Sequence, residues 1–528
     1  MNGLREPDSR PAHAGRLKTS SPLGGRERHG TEASRRTAAG RLTMKVQAWL
    51  LLVLFVALIG LGPEVSAGQG LPILGRHSIP DPLLVERHSQ ALVHWVEKGF
   101  QGSSLIHIDA HDDLRRIPEQ RISRLRRIYR NKDLQALRQA EGAGDSGIYH
   151  AGSFLYAAYR LGIIDKTYWI IPYPYFSGAD PEAGLRSFLR HCSFPQEDIR
   201  RFKLQGHAFS GKIHGHELHI CPPEHLPDVD EPVLISLDAD FFPALDTTMR
   251  NGLLRAWRSF CTDLFSQGYR VRDVHVAHSV DGGFLEPVKR WVGCQSREVI
   301  TSPELLVHPA PLLWTLRDRA NTFYEQGKPD RLAQTCRTGL ARFPGEPSLT
   351  LYLAFAQLAQ GHIDQAFCLA ADLCRKEPGF CPGLADLGQC LLDRGELEAG
   401  LRFFERAYAL NPGLNYRQTE VAHALRRAGR FEDALDYYES CRRKNGSFPT
   451  DFLLGETCLH LGRDKQALRH FDRGRRALAR ELYPILRDEC DVEAVRSAIA
   501  TYERMGLLKK ARELRRHPRL IKALNRFD

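Results

Sequence analysis

The chain has 528 residues, 42% of them hydrophobic and 26% charged, with a net charge of +11. That length provides for two or more domains with sizeable cores. The positive charge is concentrated at one end, where residues 1–43 carry nine Lys and Arg against four acids, and the rest of the chain has no basic patch interleaved with aromatics, which argues against nucleic-acid binding.

Residues 1–43 are rich in Gly, Arg, Ser and Pro and lack hydrophobic periodicity, so they read as disordered, or as an over-extended start with Met44 the true first residue. Met44-Lys45, the apolar stretch Ala48 to Leu61 and the small-residue site Val65-Ser66-Ala67 form a signal-peptide pattern over 44–67. Cleavage after Ala67 would export the protein to a periplasm or the outside. The apolar stretch falls short of the roughly 20 residues of a membrane span. The competing reading is an uncleaved anchor with a basic tail, the one way this chain would meet a membrane. The twelve cysteines have no C-x-x-C pair and no zinc-ligand spacing. Cys368, Cys390 and Cys458 sit among apolar neighbours and read as small core residues, although export would permit disulfides that spacing alone cannot assign.

From 71 to 308 strands and helices alternate. Leu83-Leu84-Val85 is a strand, Ser89 to Lys98 a helix, and Ser104 to Ile108 a strand running into Asp109-Ala110-His111-Asp112-Asp113. A helix comes next over Gly152 to Leu161, then a strand over Tyr168 to Ile171 and a break at Pro172-Tyr173-Pro174. Val233 to Leu237 is a strand ending in Asp238-Ala239-Asp240, then come a helix around Leu253–Phe265 and a strand Val274 to Ala277. Short apolar runs alternating with helices predict a three-layer α/β/α domain with a parallel sheet. Ligands collect at the carboxyl ends of such strands. Pro309-Ala310-Pro311 reads as a hinge into the C-terminal half of the chain.

That half is repetitive. Gly327, Gly361, Gly395, Gly429 and Gly462 recur at intervals of 34, 34, 34 and 33. Five residues after the last four come Ala366, Gly400, Ala434 and Ala467, with Leu332 in the first unit, and Pro344, Pro378 and Pro412 keep the same period. Small residues let two helices approach and the proline ends the second one. Residues 313–480 resemble an array of tetratricopeptide repeats, whose groove takes a peptide or protein partner, and 481–528 form a helical cap.

Asp109, His111 and Asp113 stand at i, i+2 and i+4 on a chain leaving a strand, where alternate side chains share a face. Asp238 and Asp240 repeat the arrangement from a second strand, and Glu86-Arg87-His88 ends a third. Carboxylates so crowded repel unless a cation neutralises them. His77, in a Gly-Arg-His turn, competes with His88 as first ligand but lies farther from Asp109.

Asp-Ala-His-x-Asp, Asp-x-Asp and an upstream histidine together resemble the arginase/agmatinase (ureohydrolase) superfamily, whose fold also serves histone deacetylases. Closer still is an uncharacterised arginase-like family with an acidic-histidine strand end followed by Ile/Phe-His-x-Asp-x-His. The resemblance spans about Leu83 to Glu286. It implies that His88, Asp109, Asp113 and Asp238 hold one metal, that Asp109, His111, Asp238 and Asp240 hold a second, and that Asp109 and Asp238 bridge. The deacetylases lack the counterpart of Asp113 and use one zinc. An oxygen-rich set favours two Mn²⁺, with Zn²⁺ or Fe²⁺ as alternatives. Paired cations lower the pKa of a bridging water and present hydroxide to a trigonal carbon. A histidine then gives the leaving nitrogen a proton, His150 being the first candidate and His278 the second.

The small-molecule substrate does not carry over. Phe241-Phe242-Pro243 replaces the family's Asp-Pro, and Val85-Glu86-Arg87 replaces a glycine-rich approach. Guanidino, ureido and acylamide compounds all remain open, with Glu286 or Asp281 facing a cationic group or Arg115 an anionic one. The arginines from Arg115 to Arg130 otherwise read as a solvated helix face, and His214, His216 and His219, near His207 and His225, as a polar hairpin over the site. Two functions compete: an exported two-metal hydrolase of C–N bonds, and a tetratricopeptide scaffold whose α/β domain is structural or inactive.

Overall fold

The structure is a computed structural model that describes residues 81–142, 147–192, 194–249, 252–445, 449–478, 489–517 and 520. The start read as disordered, the segment read as a signal peptide and His77 lie outside the described residues. Among the described residues no helix is long and apolar enough to cross a membrane.

Eight strands, β1 (Leu83–Val85), β2 (Ser103–Ile108), β3 (Ile164–Ile170), β4 (Lys203–Gln205), β5 (Ala208–Ile213), β6 (His216–Cys221), β7 (Val233–Asp238) and β8 (Val271–Ala277), form one sheet in the order β1-β8-β7-β2-β3-β6-β5-β4. The six strands from β1 to β6 in that order run parallel. β5 and β4 are antiparallel, so the sheet is mixed where the sequence predicts a parallel one. The cause is local. Gly206 with φ 59°, and His214 and Gly215 with φ 52° and 86°, make tight turns, and a turn that short can only reverse the chain.

The same topology moves the histidine hairpin. The His214–Gly215 turn precedes β6 and lies at the amino ends of the parallel strands, opposite the acidic strand ends, so it does not cover them. His216 stacks on Tyr159 at 4.2 Å, and His219 stacks on Tyr168 while bonding Ser210 and Glu217.

Both faces of the sheet are covered. Ile106, Ile108, Ile235, Leu237, Val274 and Val276 belong to one core, and Leu105, Leu234, Trp169 and Ile220 to the other. The first core runs without a break into the C-terminal helices. There Trp257 meets Trp314 edge-on at 5.3 Å, and Trp314 Nε1 donates to Glu298 Oε2 at 3.1 Å. Lys289, buried, pairs with Glu286 and with Glu325 of the first repeat, both at 2.9 Å. Arg258 Nη2 donates to the carbonyls of Leu306 and His308, both at 2.8 Å. The segment predicted to be a hinge is thus held on both sides.

The C-terminal helices form antiparallel pairs, from Leu312–Glu325 with Pro329–Arg342 to Asp464–Leu478 paired with Thr450–His460. Each of the five periodic glycines sits in the turn within a pair with positive φ. Helices Glu489–Arg504 and Leu508–Arg515 add a further pair around Gly506, also at positive φ, where the sequence predicts a cap. Cys374 and Cys381 are disulfide-bonded across the corner between two repeats. Cys458 is buried as expected, whereas Cys368 is exposed, because it falls on the outer face of its helix.

Small residues set the helix spacing. A Cβ on Gly400 would stand 2.5 Å from Leu392 Cδ2 and 3.0 Å from the Gly388 carbonyl, and one on Gly388 would stand 3.1 Å from the Gly400 carbonyl. Gly400→Val must therefore push two helices apart, and it is expected to cost roughly 1–3 kcal/mol, read as a lower urea midpoint of the full chain. An unchanged midpoint would show that the close approach is not a constraint.

His278 gives a pH test. Its ring packs on Gly293 of helix Trp291–Thr301, and burial, with the Arg290 guanidinium nearby, lowers its pKa to about 3. The folded ring stays neutral where the unfolded one, near its ordinary pKa, takes a proton. Its contribution is fully present above about pH 6.5 and is lost as the pH falls toward 3, with a slope of up to about 1.4 kcal/mol per pH unit. His278→Asn is expected to flatten the fall in stability between about pH 7 and 5. An equal slope in wild type and variant would show that His278 takes no part.

Candidate metal centre

β2 and β7 are neighbours in register, Ile108 opposite Leu237, so their next residues, Asp109 and Asp238, emerge side by side. β1 lies beyond β8, and the turn after it carries His88 back over β8 toward them. That turn is clamped. The amides of Glu86 and Arg87 donate to Gln90 Oε1 at 3.0 and 3.1 Å, Arg87 forks onto Glu141 at 2.7 and 3.2 Å, and Ser89 Oγ donates to Glu141 at 2.6 Å.

The acidic loops are shaped by their own aspartates. Asp109 Oδ1 accepts the amide of His111 at 2.7 Å, Asp112 Oδ1 that of Leu114 at 2.8 Å, and Asp238 Oδ1 that of Asp240 at 3.1 Å. These i to i+2 bonds are the Asx turn, which makes aspartate a turn former as well as a ligand. Asp113 and Ser279 hold φ of 49° and 52°, two of four such non-glycine positions among the described residues. Backbone strain of this kind persists where the surroundings over-determine it.

The six predicted ligands come together. His88 Nδ1 faces three carboxylate oxygens, Asp109 Oδ2 at 2.8 Å, Asp238 Oδ2 at 3.2 Å and Asp113 Oδ2 at 3.3 Å. His111 Nδ1 faces Asp240 Oδ2 at 3.0 Å and Asp109 Oδ1 at 3.5 Å. Asp109 thus gives one oxygen to each group. Asp238 gives Oδ2 to the first, while its Oδ1 holds the Asp240 amide.

These distances test whether a cation fits. One ring nitrogen can give a proton to one acceptor, not three. Ligand atoms bound to a divalent ion at about 2.1 Å stand about 3.0 Å apart in an octahedron and about 3.4 Å in a tetrahedron. The three oxygens stand near that spacing from His88 Nδ1, and Asp109, His111 and Asp240 offer ligand atoms within 4.8 Å of one another. Both Asp240 oxygens, in a side chain only 5% exposed, make no hydrogen bond, and His111 Nδ1 is their neighbour. The donor set fits divalent metal.

The electrostatics agree. Burial opposes ionisation of Asp109, but His107, His111 and His88 outweigh it and hold the carboxyl well below the usual range. Burial and the adjacent Asp238 push Asp240 up to about 7. Burial and Asp109 raise Asp113. A site of this kind holds more negative charge than its imidazoles balance.

The other candidates lie apart from the six. His150 caps a short turn, its Nδ1 accepting from the Gly152 amide at 3.2 Å, beside Arg115. Burial, then Arg115 and Arg121, lower its pKa to about 4, so the ring is neutral at about pH 7. The Arg115 amide donates to the Gly152 carbonyl at 2.9 Å, and Arg115 flanks the loop that carries Asp113. His278 faces helix Trp291–Thr301, and Glu286 is committed to Lys289.

Several residues at the site go beyond the sequence expectation. His107, Ser236 and His275 stand in register across β2, β7 and β8, one pleat behind Asp109 and Asp238 on the same face. His107 Nε2 comes within 3.4 Å of Asp109 Oδ2 but also within 3.2 Å of the His111 carbonyl, to which it donates, so that nitrogen is no ligand. Ser279 Oγ donates to Asp238 Oδ2 at 2.5 Å, and Phe284, 46% exposed, meets the half-exposed His111 ring edge-on at 4.9 Å. Polar residues two before each acid, at His107 and Ser236, are the signal the sequence offers for them.

Comparison with known proteins bears on the repeats. A family model described as tetratricopeptide repeat matches residues 421–484. Tetratricopeptide repeat protein 21A of Homo sapiens is 27% identical over 155 residues, which are 29% of this chain and 11% of that protein. Among solved structures, the crystal structure of MamA protein is 16% identical, covers 33% of this chain and 97% of its own, and gives a TM-score of 0.26. A second crystal structure of MamA, also 16% identical, covers 31% and 96% with a TM-score of 0.25. The family match lies within the C-terminal helices. The C-terminal region carries tetratricopeptide repeats, a module that binds other proteins.

Proposed function

We propose that the α/β domain is a metal-dependent hydrolase of C–N bonds, arginase-like in its site, joined to a tetratricopeptide array that binds a protein partner. The observation that carries the enzyme reading is the convergence of three carboxylate oxygens on His88 Nδ1 at 2.8 to 3.3 Å, with Asp240 unbonded beside them. His88, Asp109, Asp113 and Asp238 would hold one cation and Asp109, His111 and Asp240 a second, Mn²⁺ by the chemistry of the donors. When bound, such ions supply Lewis acidity and a water ionised near neutral pH.

The chain's own residues do the rest. Phe284 and the exposed face of His111 form an apolar rim against which a small substrate rests. Tyr173 donates to the Ala110 carbonyl at 3.2 Å and Trp169 to that of Asp109 at 2.9 Å, so the loop bearing three ligands cannot swing when substrate enters. His150, whose pKa burial and the nearby Arg115 and Arg121 lower to about 4, holds no proton to donate at about pH 7 and resists taking one, which speaks against the donor role the sequence suggests.

The second reading, a scaffold with an inactive α/β domain, is favoured by the comparisons, whose family match is confined to the repeats. One experiment separates the two. Metal-stripped full chain is titrated with Mn²⁺ while thermal unfolding is followed, alongside Asp109→Ala and Asp238→Ala. Binding at a hundredfold excess over Kd stabilises by about 2.7 kcal/mol, so wild type is expected to gain several degrees and both variants little. A wild type that neither binds nor responds to Mn²⁺, Zn²⁺ or Fe²⁺ would refute the metal reading. The loaded protein is then offered guanidino, ureido and acylamide compounds, and released urea, ammonia or amine is measured. Metal binding with no product from any class leaves the scaffold as the function.

A further inference from the structure

Behind the ligands lies a hydrogen-bonded row with no role in the reading above. His88 Nε2 is 2.5 Å from Ser236 Oγ, and Ser236 Oγ is 2.8 Å from His275 Nε2. All three side chains are buried, at 0 to 1% exposure. Phe154 lies 4.9 Å from the His88 ring, and Trp95 meets the His275 ring at 5.2 Å and 69°. Water is shut out, so these groups have only one another to bond.

A hydroxyl has one proton and can donate once. The row therefore runs in one direction or the other. If a neutral His88 keeps its single proton on Nδ1, facing the carboxylates, Nε2 must accept from Ser236 and His275 must donate. If Nδ1 is to offer a lone pair to a cation, the proton sits on Nε2 and donates to Ser236 Oγ, and Ser236 donates onward to His275 Nε2. The proton of His275 is then on Nδ1, an atom that makes no hydrogen bond.

We propose that Ser236 and His275 are positioning residues that form a buried relay fixing the tautomer of His88, so that cation binding at His88 Nδ1 and the direction of the Ser236 hydroxyl are one event. The inference rests on the metal reading. It assigns function to two residues that never touch the ion. It also accounts for a serine and a histidine in the middle of buried strands, where apolar side chains would pack at lower cost. The register of β2, β7 and β8 places them there, with Ser236 directly opposite His275.

The test uses the full chain and Mn²⁺ alone. Free Mn²⁺ is counted by electron paramagnetic resonance to obtain a dissociation constant, and the thermal midpoint of the metal-free protein is taken in parallel. Ser236→Ala is expected to weaken Mn²⁺ binding by about 10- to 100-fold, as loss of an outer hydrogen bond to a ligating histidine does. Ser236→Thr, which keeps the hydroxyl, is expected to restore most of it. Ser236→Ala also unpairs two buried ring nitrogens, so its metal-free midpoint is expected to fall; Mn²⁺ affinity is therefore read well below that midpoint, where a merely structural serine would leave it unchanged. Equal affinity in wild type and Ser236→Ala overturns the relay while leaving the metal site standing. Absence of Mn²⁺ binding in wild type overturns the metal reading instead. Should Ser236→Ala fail to fold, His275→Phe keeps a ring and removes the acceptor, and an unchanged affinity there overturns the relay too.

Discussion

Four buried aspartates crowd around two imidazoles at the ends of adjacent strands, and much of the α/β domain is arranged to hold them there. Carboxylates withdrawn from water are costly unless paired. Asp109 is the pivot, with one oxygen toward His88 and the other toward His111. Its neighbours are fixed from behind by Trp169 and Tyr173, from the side by Ser279, and from below by His107. Each of these bonds uses a buried polar group that would otherwise be unpaired, so the scaffold of the site and the polar satisfaction of the core are the same set of contacts.

The strand-end acids are legible in the sequence because they use a short-range rule. An apolar run marks a buried strand, and a polar residue straight after it falls at the carboxyl edge where parallel strands expose their ends. Asp109 and Asp238 obey that rule, His88, His111, Asp113 and Asp240 follow within a few residues of such a run, and the structure brings His88 and His111 beside the acids. His278 obeys it too, one residue past β8, yet its ring turns to Gly293. The amide of the next residue, Ser279, is tied to the Glu86 carbonyl, and that residue's hydroxyl takes the place at Asp238. Which of two consecutive residues faces the site depends on the pairing of β1 with β8, and no local pattern encodes that.

The His107–Ser236–His275 row is illegible for a related reason. Each residue alone is an isolated polar group in an apolar strand. They become a unit only when β7 lies between β2 and β8 in the observed register, and strand order is a long-range property. The antiparallel edge is a different case. Its turns at Gly206 and His214–Gly215 are present in the sequence, but the histidines there read as a hairpin over the site, while strand direction puts the turn at the opposite end. In the repeats the period itself suffices, because each unit packs on its neighbour and the spacing is enforced locally.

The two halves of the chain are not separable modules on a hinge. The segment leaving the site begins at Ser279, passes Phe284 at the mouth, and reaches Glu286, Lys289 and Arg290 within a dozen residues. Lys289 is buried against Glu325 of the first repeat, and a Cβ on Gly379, at the corner before the third repeat, would stand 2.6 Å from the Arg290 guanidinium carbon. Arg290 also pairs with Glu86, two residues before His88. The turn that carries His88 and the repeats are therefore held by one arginine. Pro287–Lys289 packs on helix Pro347–Ala359, so the second repeat is also in contact with the chain's own α/β domain. The α/β domain and the first repeats thus share Lys289 and Arg290 as common struts.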